Sequence, residues 1–220
     1  MSNTRIIRKP DGTVLIERFK PARRVEHILT IITFVILVLT GFPQKFYEAN
    51  WSLSVINFFG GLDKARLIHR AAGIFFGVMV TIHLAIIVIG VATRKMRLTL
   101  LPTIQDFKNV VITLAYYFGY RKEHPLYEKF DYRQKFEYIG IVLGGFVMIG
   151  SGLVLLYPTL VAQFLPGQVI PAARVAHSSE AVLALLVLTI WHVYGSHFSP
   201  EVFPMDKSIF TGFITAEELK

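Results

Sequence analysis

ARLIHRAAGIFFGVMVTIHLAIIVIGVAT, residues 65–93, decides the fold. It is longer than the roughly 20 mostly apolar residues an α-helix needs to cross a bilayer core. Its only formal charges, Arg66 and Arg70, lie in the first two turns. Two histidines, His69 and His83, interrupt the apolar run. An ionisable side chain inside such a segment is expensive and points to function.

The rest of the chain has the same character, with 53% hydrophobic and only 17% charged residues. Three more runs are long enough to span, so the spans fall at about 25–43, 65–93, 136–157 and 173–198. The stretch VVITLAYYFGY, 110–120, is apolar but about half the necessary length, and reads as a piece lying on the membrane surface. The fold class is therefore an all-α membrane protein, a four-transmembrane-helix bundle. Residues 1–24 form an N-terminal segment, 25–198 the bundle with an interfacial loop at 94–135, and 199–220 a short, proline-punctuated tail that extends along a partner or caps the bundle.

Basic residues set the orientation, because they accumulate on cytoplasmic flanks. Arg5, Arg8, Lys9, Arg18, Lys20, Arg23 and Arg24 precede the first span, and Arg94, Lys95, Arg97, Lys108, Arg121, Lys122, Lys129, Arg133 and Lys135 fill the loop after the second. The opposite loops hold only Lys45, Lys64, Arg66 and Arg174. Both termini are thus expected in the cytoplasm. The net charge of +8 is a topology signal, directed at anionic lipid and not at nucleic acid. About two dozen polar and basic residues precede the first span, which reads as a retained helix and not as a cleaved signal. No cysteine is present. Cysteine-bound iron–sulfur clusters and covalent c-type haem are excluded from this chain.

Six of the seven histidines, His27, His69, His83, His177, His192 and His197, fall in or at the ends of the spans, and His124 lies in the loop. On an α-helix, the 14 residues from His69 to His83 bring the two imidazoles to within about 40°, about 21 Å apart. The 15 from His177 to His192 give about 60° and about 22 Å. Spans two and four run in the same direction, so His69 is level with His177 and His83 with His192. Two pairs at two depths match two stacked bis-histidine haems of the b type. The echo of ARLIH (65–69) in ARVAH (173–177), and of TIH before His83 in TIWH before His192, points the same way. It also makes Arg66 and Arg174, each three residues before a histidine, partners for haem propionates. Snorkelling to the interface accounts for the same arginines. Gly73 and Gly77 leave room for a flat macrocycle, whereas Gly140 and Gly144 read as a small-residue packing motif.

The pieces RRVEHI (23–28), RLIHRAAG (66–73), KFDYRQK (129–135), AHSSEA (176–181) and WHVY (191–194) resemble the cytochrome b subunit of membrane-bound formate dehydrogenases and nickel–iron hydrogenases. The resemblance implies a four-helix, two-haem subunit in the inner membrane of a prokaryote. It would pass electrons between a periplasmic iron–sulfur or multihaem c-type cytochrome subunit and menaquinone or another quinone. It implies His69 and His177 as ligands of the outer haem and His192 with His27 for the inner one. The internal echo favours His83 with His192 instead, an arrangement similar to cytochrome b6. His27 is then free to pair with His197 around a third haem, or to serve a quinone or protons. The family pattern has Asn and Gly where this chain has Asp131 and Arg133. The candidates for a quinone and its protons are Glu26, Asp131, Tyr132, Arg133, Gln134, Tyr194 and His197. Electron flow is expected inward to the quinone, with the reverse equally compatible. Two other classes fit parts of the pattern: a cytochrome b6-like quinol-oxidising component serving a c-type cytochrome, and a haem-free bundle carrying protons or metal.

Overall fold

The computed structural model describes residues 5–96, 98–123, 125, 130–199 and 202–215. His124, Arg97 and Lys129 lie outside them. The helices are α1 (Pro21–Lys45), α2 (Asn50–Phe58), α3 (Leu62–Ala92), α4 (Ile104–Tyr117), α5 (Tyr132–Leu156), α6 (Pro158–Val161), α7 (Val169–Phe198) and α8 (Ser208–Thr211). Among them α1, α3, α5 and α7 are long and apolar enough to cross a membrane. All four begin three or four residues before the apolar runs do, because polar or conformationally suited residues start the helix ahead of the oil. Pro21 occupies the first turn of α1. Asp131 caps α5 by accepting from Gln134 N, and Gln134 returns the bond to complete a capping box. Gly60 and Gly61, at φ +84° and +100°, make the turn that launches α3.

The long helices alternate in direction. Thr40 near the end of α1 meets His69 near the start of α3, and Ser151 near the end of α5 meets His177 near the start of α7. Both ends of the described chain, Arg5 and Thr215, consequently lie at one end of the bundle, the near face. There β1 (Ile6–Arg8), β2 (Val14–Glu17) and β3 (Phe213–Thr215) form an antiparallel sheet in that order, with Ile7 opposite Leu15 and Ile16 opposite Ile214. This sheet is an addition to the all-α reading, and it pairs Phe213–Thr215 with the N-terminal hairpin.

Burial is inverted relative to a protein folded in water. Among the described residues the buried hydrophobics are Ala65, Ala173 and Ile214, while Thr33, Thr40, Ser52, Asp106, Asn109, Thr113, Lys135 and Ser151 are buried polar groups. Leu67, Val88 and Ile89 are about two-thirds exposed. A surface of that kind needs an apolar solvent, with every interior polar group satisfied inside the bundle. Helix α4 repeats the inversion: Asp106, Asn109 and Thr113 face inward, and Ile104, Phe107, Val111 and Leu114 face out. It is tied to α5 by Lys135 Nζ, which donates to both carboxylate oxygens of Asp106 at 2.9 Å. Burial acts to raise the Asp106 carboxyl, but the Lys135 and Thr103 hydrogen bonds outweigh it and hold the group below the usual carboxylate range.

Candidate functional site

The structure gathers four of the six membrane histidines into two facing pairs at two depths. Toward the far face, His69 on α3 and His177 on α7 have ring centres 6.3 Å apart and planes at 77°. Toward the near face, His27 on α1 and His192 on α7 have ring centres 6.1 Å apart and planes at 44°. Two imidazoles binding one metal at about 2.0–2.1 Å per nitrogen, with each ring centre about 1.1 Å further back, have centres about 6.3 Å apart. Both pairs therefore have the spacing of a bis-imidazole metal site.

The far pair is oriented by two hydroxyls. Thr40 Oγ1 donates to the Ile36 carbonyl at 2.7 Å, so it accepts from His69 Nδ1, 2.9 Å away. Ser151 Oγ donates to the Val147 carbonyl at 2.5 Å and likewise accepts from His177 Nδ1 at 2.9 Å. Each ring is thereby held as the Nδ1–H tautomer, leaving Nε2 with a free lone pair, the form a metal ligand takes. Gly41 and Gly152 permit the fit, since a Cβ at either would sit 2.8 Å from His69 Cε1 or 3.4 Å from His177 Cε1. Beside the pair, a Cβ on Gly73 or Gly77 would meet only one atom each, Leu37 Cδ2 or Ile149 Cγ1, at 3.9 Å. That open space suits a flat macrocycle.

The near pair is built differently. His192 Nδ1 lies 2.6 Å from Oε1 of Glu137, whose side chain is 10% exposed. His27 Nδ1 is buried without a hydrogen-bond partner, as is His197 Nδ1. From Val187 onward α7 widens into π turns, over Val187–His192 and Tyr194–Phe198. Bonding from i to i+5 brings positions five apart toward one face, which turns His197 toward the side of α7 that carries His192.

The structure does not bring His83 beside His192, the pairing that the internal echo favours. His83 instead joins a polar cluster: its Nδ1 is held by the Glu26 carboxylate and lies 2.9 Å from Arg23 Nη1, and its Nε2 lies 3.1 Å from the Tyr138 hydroxyl. Arg23 also pairs with Glu26 at 2.7 Å. The α-helical register behind the echo fails where α7 turns π, because each residue there advances the helix by less than 100°. His27, the expected partner of His197, faces His192.

Other candidate residues have structural employment. Asp131 and Gln134 cap α5, and Arg133 Nε donates to Asp131 at 2.7 Å. Tyr132 opens that helix and Tyr194 is about half exposed beyond His192. Arg66 donates to Gln44 at 3.4 Å, and Arg174 is exposed one turn before His177. Of the two glycines read as a packing motif, Gly140 faces open space and Gly144 makes room for the Glu180 carboxyl of α7. The sequence reading omitted Thr40, Ser151, Glu137 and Tyr138. Glu137 alone carried a signal, as an acid at the mouth of an apolar run.

These pairs lie within the region matched by a family model, that of prokaryotic cytochrome b561, over residues 18–204. The chain belongs to the prokaryotic cytochrome b561 family. Among curated proteins none matches it significantly. Membership makes it an integral, multi-pass membrane cytochrome of the b type, working in electron transfer with haem b as its cofactor. In this cytochrome the facing histidines, the free Nε2 lone pairs of the far pair and the open flank at Gly73 and Gly77 fit that group.

Proposed function

We propose that this cytochrome is the membrane subunit of a respiratory redox complex, carrying electrons across the cytoplasmic membrane of a prokaryote between an outer redox partner and the quinone pool. The observation that carries this reading is the pair of histidine pairs at two depths with bis-imidazole spacing. His69 and His177 hold the outer haem and His27 and His192 the inner one. Haem bound there supplies a one-electron iron couple in a low-dielectric setting.

The chain's own residues set the conditions. Thr40 and Ser151 fix the tautomers of the outer ligands, and Arg66 and Arg174 stand one turn before them to meet propionates. At the near face, taken as cytoplasmic from the excess of Lys and Arg, quinone chemistry needs proton-carrying groups. His83, Glu26, Tyr138, His197 and Tyr194 line that end of the bundle, and Asp131, Tyr132, Arg133 and Gln134 stand at the start of α5. Helix α4 lies in the interface with its apolar face toward lipid, flanked by Arg94, Lys95, Arg121 and Lys122. The outer partner is an iron–sulfur or multihaem c-type subunit, docked on the aromatic α2 region.

A reduced-minus-oxidised spectrum with haem-to-protein stoichiometry tests this on the purified chain. Two b haems per chain, both reducible by a short-chain quinol, are expected. A chain that takes up no haem overturns the reading.

A further inference from the structure

The two histidine pairs differ in what holds their outer nitrogens. Far-pair ligands rest on hydroxyls whose own protons go to backbone carbonyls, so the group on each Nδ1 is neutral. Cations surround that end: Lys45 Nζ donates to Ser178, the neighbour of His177, at 3.0 Å, and Arg66, Arg70 and Arg174 lie in the opening turns of α3 and α7. The near pair has a carboxylate in the place of a hydroxyl. Glu137, nine-tenths buried, has Oε1 2.6 Å from His192 Nδ1, an ion-pair contact. The nearest cation of the neighbouring polar cluster, Arg23, is already paired with Glu26.

A carboxylate on the distal nitrogen of an axial imidazole makes the ligand more electron-donating, and a buried negative charge favours ferric over ferrous iron. Cations near a haem do the reverse. Resting on the function proposed above, we infer that Glu137 makes the near site the lower-potential one, so that electrons run from the near face to the far face. The cytochrome then oxidises quinol: each quinol loses two electrons and two protons to become quinone, the protons leave at the near face, and the electrons pass singly outward to a one-electron acceptor protein. Glu137 acts here as a positioning and tuning residue, through His192.

The test is an optical redox titration of the haem-loaded full chain in lipid nanodiscs. Two transitions are expected. His27→Ala removes the lower one and Glu137→Gln raises it, with the upper transition unmoved. Loss of the upper transition in His27→Ala, or two unmoved transitions in a two-haem Glu137→Gln protein, overturns the inference while leaving the cytochrome reading intact. If Glu137→Gln loses its near haem, Ser151→Asp decides. Placing a carboxylate on His177 is expected to lower the upper transition, and an unchanged upper transition refutes the inference.

Discussion

The rings of His27 and His192 face one another with centres 6.1 Å apart, while His83, at a similar depth on α3, is bound to Glu26 and Tyr138. Under the proposed function, that division gives His27 to iron and leaves His83 to hydrogen bonding. His27→Ala is accordingly expected to leave one haem per chain and His83→Ala two, as counted by pyridine haemochrome against protein mass. Equal losses in both variants contradict the assignment.

Ligand-orienting groups around metals typically contribute about 10–100-fold in affinity. Thr40→Val and Ser151→Ala each remove the acceptor that fixes a far-pair ring. Haem transfer from the chain to an apoprotein acceptor should then speed up by about that factor for the far haem. The near haem's transfer rate is the internal control.

Gly41 lies against His69, and a Cβ there would approach Cε1 to 2.8 Å. Gly41→Val should push the ring off its position and abolish far-haem binding. Gly140→Val, at a position facing open space, should bind two haems like the parent. Absorbance at the haem band per mole of protein reads both.

Asp106 and Lys135 form a buried ion pair, each side chain about 5% exposed. Asp106→Asn strands the ammonium and should cost about 3–5 kcal/mol, seen as a lower melting temperature in detergent. Because the folded carboxyl lies below its ordinary value of 3.8, the parent's ion-pair stability is full above that pH and is lost as pH falls through the lower folded value. The Asn variant should lack this acid-side drop.

Helix α4 turns Val111 outward and Thr113 inward, and the chain has no native cysteine to complicate labelling. An environment-sensitive dye on Val111→Cys in anionic vesicles should report an apolar surrounding, quenched by brominated lipid. A dye on Asp11→Cys, in the hairpin between β1 and β2, should report water. Equal quenching at both positions contradicts the interfacial placement.

The sequence by itself determined the four spans, their alternation and the histidine-rich interior, because a bilayer imposes length and apolarity residue by residue without reference to neighbours. It also carried the His69 and His177 pairing, which lies in regular α-helix where 100° per residue holds. Only the tertiary structure decided between His27 and His83 as the neighbour of His192. Three things unreadable in a linear string settle it: the π turns that rotate the end of α7, the approach of α1 to α7, and the Glu26 carboxylate that takes His83. Glu137, Thr40 and Ser151 were equally hidden, since a hydroxyl or carboxyl becomes a ligand-orienting group only through the helix opposite. The terminal sheet was hidden for the same reason: β2 and β3 are separated by the whole bundle, and their pairing exists only once its two ends have been folded to one face.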